Sequence, residues 1–182
     1  LHNLVTQAGG RETVANLRLD NRVGNGGAER NYFMDPTPAN NSEFDKTQTL
    51  WRDLTLTQQQ NFYNFTGPIP ATFEVGFAGT ATGSAPAAAQ NNIDALTVLF
   101  HEVGHALGMS SANNSTVAET VDDDYDFDAV NVFGATLAAE VATGSNIAHL
   151  DSSFSLMFPS VSSGLRTLPS HTDLLSMAAV HN

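Results

Sequence analysis

His101-Glu102-Val103-Gly104-His105 sets two imidazoles four residues apart with a carboxylate beside the first. On an α-helix that separation is about 400°, so both rings leave one face roughly a turn apart. Two nitrogens so placed can reach one zinc ion at about 2.0–2.1 Å. Glu102 leaves to one side of the pair. There its carboxylate can take a proton from water on the metal, whose pKa the ion lowers towards about 7. The same five residues also occur by chance on exposed helices. Here they lie in an apolar stretch, where two imidazoles and a carboxylate without partners would be costly to bury.

A catalytic zinc takes three protein ligands and keeps one position open. The chain has no cysteine, so the third arm must be His, Asp or Glu. His149, in Asn146-Ile147-Ala148-His149-Leu150-Asp151, is the expected ligand. The alternatives are His171, a carboxylate of the Asp122–Asp128 run, and the terminal His2 and His181. His171 precedes the last expected helix and reads as structural.

His101 through Gly108 resembles the metzincin zinc-binding signature, in which the glycine lets the chain turn sharply beneath the metal. Metzincins carry their third ligand three residues after that glycine, a position held here by Ser111. Ser155-Leu156-Met157-Phe158-Pro159 resembles the metzincin Met-turn. A third histidine delayed by a long insertion, then a Met-turn, is similar to the leishmanolysin branch and to bacterial exported metalloproteases linked to PEP-CTERM sorting. The likeness covers roughly residues 73–180. It implies a zinc-dependent endopeptidase acting on protein or peptide substrates outside the cell or in a bacterial envelope. Zinc would be held by His101, His105 and His149, with Glu102 as general base, Gly108 at the turn and Met157 below the metal. The implied fold is an α+β or α/β zincin: a small twisted mixed sheet, an active-site helix, a C-terminal helix and an irregular lower part. No tyrosine follows Met157, so the metzincin tyrosine that assists the oxyanion has no counterpart, and the metal would supply that stabilisation.

Two further features bear on binding. Asp122, Asp124, Asp126 and Asp128 alternate along one acidic run. Calcium takes six to eight oxygens, often from such closely spaced carboxylates; a bound calcium and a solvated acidic loop both fit, and an EF-hand does not. Phe73, Val75 and Phe77 alternate with Glu74 and Gly76, the pattern of a half-buried strand. As an upper edge strand it would pair with an extended peptide substrate; as a core strand it would only pack.

Positioning these residues requires a helix from about Asn92 to Leu107, with Asn92 as N-cap, Gly108 just past its end and Leu96, Leu99, Val103 and Leu107 as buried stripe. Elsewhere the spacing predicts a strand over 13–19 ending in the Gly24–Gly27 turn. A helix from Ser42 buries Phe44, Leu50, Trp51 and Leu54, and a second from Thr57 turns Phe62 and Phe65 inward until Gly67-Pro68-Ile69-Pro70. The small residues of 79–90 read as a flexible loop, and 137–141 as a short helix. Phe127–Phe133 reads as strand or helix. A last helix starts at Asp173 and carries Leu174, Leu175, Met177, Ala178 and Val180.

The 182 residues suit one domain, with an upper lobe to about 108 and a lower lobe from 109. The 41% hydrophobic content supports a core. A net charge of −12, from 19 acidic and 7 basic residues, repels phosphate backbones and argues against nucleic acid. No apolar run reaches the roughly 20 residues that span a bilayer. The composition and the absence of a signal-like start are read as a processed, exported chain. A zinc amidase or aminopeptidase would keep the metal and change the substrate. A non-catalytic, metal-stabilised adhesion module would keep neither activity, and Ser111 leaves that reading open.

Overall fold

The computed structural model describes residues 4–8, 11–17, 31–62, 73–111, 113, 116–117, 120, 124–126, 138–142 and 146–180. They form a mixed α/β protein of several small sheets and four helices.

One three-stranded sheet is built around β5, Glu74–Thr80. β4, Asp45–Leu50, pairs antiparallel on one side and β10, Leu165–Leu168, antiparallel on the other, in the order β10-β5-β4. β4 replaces most of the helix expected from Ser42, and Trp51–Asp53 closes it with a 3-10 turn. Thr47 and Thr49 alternate with Lys46 and Gln48, and threonine is stiff in a helix but fits a pleated ladder. Phe44, Trp51 and Leu54 are buried all the same. Leu50, the fourth residue expected inward, is half-buried, and these side chains reach the core from a strand and a turn rather than from a helix.

β1, Leu4–Ala8, and β2, Arg11–Asn16, form an antiparallel hairpin in which β2 starts before the expected strand and stops short of Leu19. β3, Tyr32–Phe33, runs parallel to β6, Ile93–Asp94. α1, Leu56–Phe62, matches the second expected helix; Phe65 lies outside the described residues, as do the Gly24–Gly27 turn and Gly67–Pro70. The expected loop over 79–90 is instead the end of β5, a turn and α2, Ala87–Asn91. Three consecutive alanines, the best helix formers, start that helix after Pro86.

β7, Asp124–Asp126, β8, Ala138–Ala142, and β9, Asn146–Leu150, make an antiparallel sheet. β8 stands where a helix was expected over 137–141, because pairing on both sides outweighs the helix preference of its alanines. Of the acidic run, Asp124 and Asp126 fall on β7, while Asp122 and Asp128 lie outside the described residues, as does 127–133. The last helix, α4, covers His171–Ala179. Its N-cap is Ser170, and Asp173, expected at that position, closes a capping box three residues in. Met177 and Val180 are buried and Leu174 is exposed.

One apolar cluster joins these pieces: Phe73 and Val75 at the start of β5, Leu150 from β9, Met109 and Met157 from turns, and Met177 from α4. Among the described residues no helix is long and apolar enough to cross a membrane.

Candidate metal centre

α3, Ala95–Ala106, follows β6 directly and carries both histidines of the motif. Its N-cap is Asp94 rather than Asn92: the carboxylate accepts the Thr97 N–H at 3.0 Å and the Thr97 hydroxyl at 2.8 Å. The same carboxylate receives Arg166 from β10 in a two-pronged contact, Nε at 2.9 Å and Nη2 at 2.8 Å. Arg166 is fully buried and its Nη1 also lies 2.8 Å from Asp35 Oδ2. Burial alone would lower the guanidinium pKa, but bonds to Asp94 and Asp35 outweigh it and raise the value. The start of the helix is thus tied to the sheet by a desolvated ion pair.

The buried face of α3 is not the expected leucine stripe. Leu99 and Leu107 are 41% and 43% exposed, while Ala95, Val98 and Glu102 are buried. The helix turns towards β9 the side that bears the imidazoles, and this displaces its leucines outward.

Gly104 lies between the histidines at the point of closest packing. A Cβ there would stand 2.3 Å from Met157 Sδ and 2.8 Å from Met177 Cε. Met157, wholly buried, therefore packs beneath the helix at the place the motif leaves bare. Gly108 has φ +123°, a backbone state that favours glycine. Its carbonyl accepts Asn113 Nδ2 at 2.9 Å and the Thr116 hydroxyl. The reversal brings the Met109 carbonyl back onto His105.

Each motif histidine is anchored through Nδ1. His101 Nδ1 lies 2.8 Å from the Leu156 carbonyl and His105 Nδ1 lies 2.6 Å from the Met109 carbonyl. A carbonyl only accepts, so both Nδ1 atoms carry hydrogen and Nε2 is the ring nitrogen that each histidine turns towards the other. Those two Nε2 atoms are 3.1 Å apart. Burial, and secondarily the neighbouring His101, lower the His105 pKa to about 4 against the pull of the Met109 carbonyl, so that ring is neutral at pH 7.

His149, on β9, completes the group. Its ring centroid is 5.2 Å from that of His101 and 4.8 Å from that of His105. One candidate ligand atom from each of the three lies within 4.8 Å of the others. Ligands at about 2.0–2.1 Å in tetrahedral array stand roughly 3.3 Å apart, close to the observed 3.1 Å. Two ring nitrogens at that distance share a proton or a cation, and the third imidazole beside them makes the group one that a cation can fill. The three histidines therefore fit a metal ion, and among the described residues they are the group that does.

Glu102 is buried on the same helix; desolvation raises its pKa, with the charge of His101 opposing. His171 does another job: the Glu74 N–H donates to its Nδ1 at 3.2 Å, and its ring lies against Phe73 at 5.3 Å. His2 and His181 are outside the described residues. Phe73, Val75 and Phe77 do not offer the expected substrate-pairing edge. β5 is the middle strand, paired with β4 along its length and with β10 over Phe77–Thr80, and Phe73 and Val75 are core residues.

The supports missed in the sequence are Gly104, Arg166 and Asp173. Gly104 had a signal, since a glycine inside a helix costs about 1 kcal/mol and needs a packing reason. Arg166 had a weaker one, a cation inside Leu165-Arg166-Thr167-Leu168 in a chain with few basic residues. No family model matches this chain, and neither a curated protein nor a solved structure matches it.

Proposed function

We propose that the protein is a zinc-dependent endopeptidase of zincin type, with His101, His105 and His149 as metal ligands. The observation that carries this reading is the convergence of three imidazoles with two Nε2 atoms 3.1 Å apart and both Nδ1 atoms committed to carbonyls. Three histidines and no thiolate suit zinc, and they leave a fourth position for reactants. When bound, zinc would supply Lewis acidity towards water and a peptide carbonyl. Glu102, next to the first ligand and shielded from solvent, accepts the proton from water and returns it to the departing amine. The apolar packing of Met157 and Gly104 fixes the floor of the site, so the imidazoles do not have to reorganise on loading. The likeness of His101–Gly108 to metzincin protease signatures is what favours a peptide over another amide.

The test is Glu102→Gln in the purified protein with zinc supplied. The variant is expected to bind one zinc per chain and to lose casein hydrolysis by about 10²–10⁴-fold, the usual contribution of a general base. Wild-type turnover by that variant would end the mechanism, and a zinc-loaded wild type inert on proteins would end the endopeptidase reading.

A further inference from the structure

We infer that Asp173 is a positioning residue that sets the strength of metal binding through the Leu156–Met157 peptide group. Its carboxylate accepts the Met157 N–H, while the carbonyl of that same peptide accepts His101 Nδ1–H. The inference rests on the metal-site reading above and extends it to a helix that touches no ligand directly.

The contacts are consecutive. Met157 N lies 3.1 Å from Asp173 Oδ1 and the Leu156 carbonyl oxygen lies 2.8 Å from His101 Nδ1. A peptide unit is conjugated from nitrogen to oxygen. A negative acceptor at its N–H therefore draws electron density onto its carbonyl oxygen, and successive hydrogen bonds strengthen one another. A stronger Nδ1–H···O bond makes Nε2 of the same ring the better metal donor. Asp173 is wholly buried, so solvent does not screen it. It is also fixed, because the Ser155 hydroxyl, the Leu156 N–H at 3.2 Å and the Ser170 N–H at 2.8 Å all donate to it.

The second ligand supplies an internal comparison. His105 leans in the same way on a peptide, Met109–Ser110, but the N–H of that unit faces the neutral Thr116 hydroxyl at 3.4 Å. The Met157 N–H is shared between the Asp173 carboxylate at 3.1 Å and the Ser155 hydroxyl oxygen at 2.9 Å, whereas Ser110 N–H faces a hydroxyl at 3.4 Å, so the carboxylate is what distinguishes the peptide behind His101.

The experiment titrates zinc into the full chain and into Asp173→Asn. It measures affinity by chelator competition and follows both imidazole Nδ1–H protons by NMR. The variant is expected to bind zinc about tenfold more weakly, the low end for groups standing behind a metal ligand. Its His101 Nδ1–H resonance should move upfield while that of His105 stays. Unchanged affinity, or equal movement of both protons, would overturn the proposal. Ser170→Ala separates capping from relay: it should lower stability and leave zinc affinity unchanged, and a loss equal to that of Asp173→Asn would overturn the role.

Should Asp173→Asn not fold, the wild type decides. On adding zinc the Met157 N–H should move downfield further than the Leu156 N–H. The latter reaches the same carboxylate, but its own peptide carbonyl, that of Ser155, faces Phe158 N–H at 3.3 Å. Equal movement overturns the relay alone. No zinc binding by the wild type overturns the metal reading and the relay together.

Discussion

Gly104 stands where a side chain would have to share space with Met157 Sδ and Met177 Cε. Gly104→Ala sets two effects against each other. Helix propensity returns about 0.5–1 kcal/mol, while forcing a methyl into a filled core costs about 1–3 kcal/mol. A lower urea midpoint is expected, together with weaker zinc binding as Met157 is pushed from beneath the helix; an unchanged midpoint would mean that the thioether moves aside freely. At the same scale, His149→Ala removes a ligand rather than a support. Its zinc affinity should fall by more than the roughly 10–100-fold typical of groups behind a ligand, leaving metal-free protein after dialysis. Much of the centre was legible at this scale, since imidazole spacing on a helix is a local property. His149 was one of few candidates, and the resemblance of its spacing from Met157 to a Met-turn singled it out. Asp173 was not, because only the fold brings an acid at 173 to the peptide of 156.

At the scale of elements, the N-terminus of α3 depends on a strand far along the chain. Asp94 caps the helix and holds Arg166 in the same carboxylate. Asp94→Ala strips a buried guanidinium of its main partner, a change that costs about 3–5 kcal/mol when a desolvated pair is broken. Denaturant unfolding should show that loss, and Asp94→Ala with Arg166→Met should recover part of it, since the stranded charge is then gone too. A single-variant loss under about 1 kcal/mol, the scale of an ordinary cap, would mean that the pair adds nothing. Elements whose period is set by neighbours within the helix, α1 and α3, were readable in advance. β4 and β8 were not, because their threonines and alanines take the conformation that their pairing partners impose. The same limit hid the outward turn of Leu99 and Leu107, whose stripe marked the wrong side of a helix with a polar face turned inward.

Across the whole molecule, the metal would join α3 to β9, two elements otherwise linked by a long intervening segment. An ion that binds only the folded state adds about 4 kcal/mol when free zinc is 1,000 times its dissociation constant. For a chain of this size each kcal/mol moves the melting temperature by roughly 2–4 °C. Chelation should therefore lower the midpoint by about 8–16 °C in wild type under those conditions, and calorimetry should find no such response in His149→Ala. Equal chelator sensitivity in both would place the stabilising ion elsewhere. The position of Arg166 and Asp173 has a consequence for biosynthesis. Both supports of the histidine-bearing helix come from sequence that follows all three histidines. A nascent chain halted before residue 166 has made every histidine of the trio yet has neither guanidinium for Asp94 nor carboxylate for the Met157 turn. Such a chain would emerge with its ligands unassembled, and the three-histidine centre would form only once residues 166 and 173 have joined it.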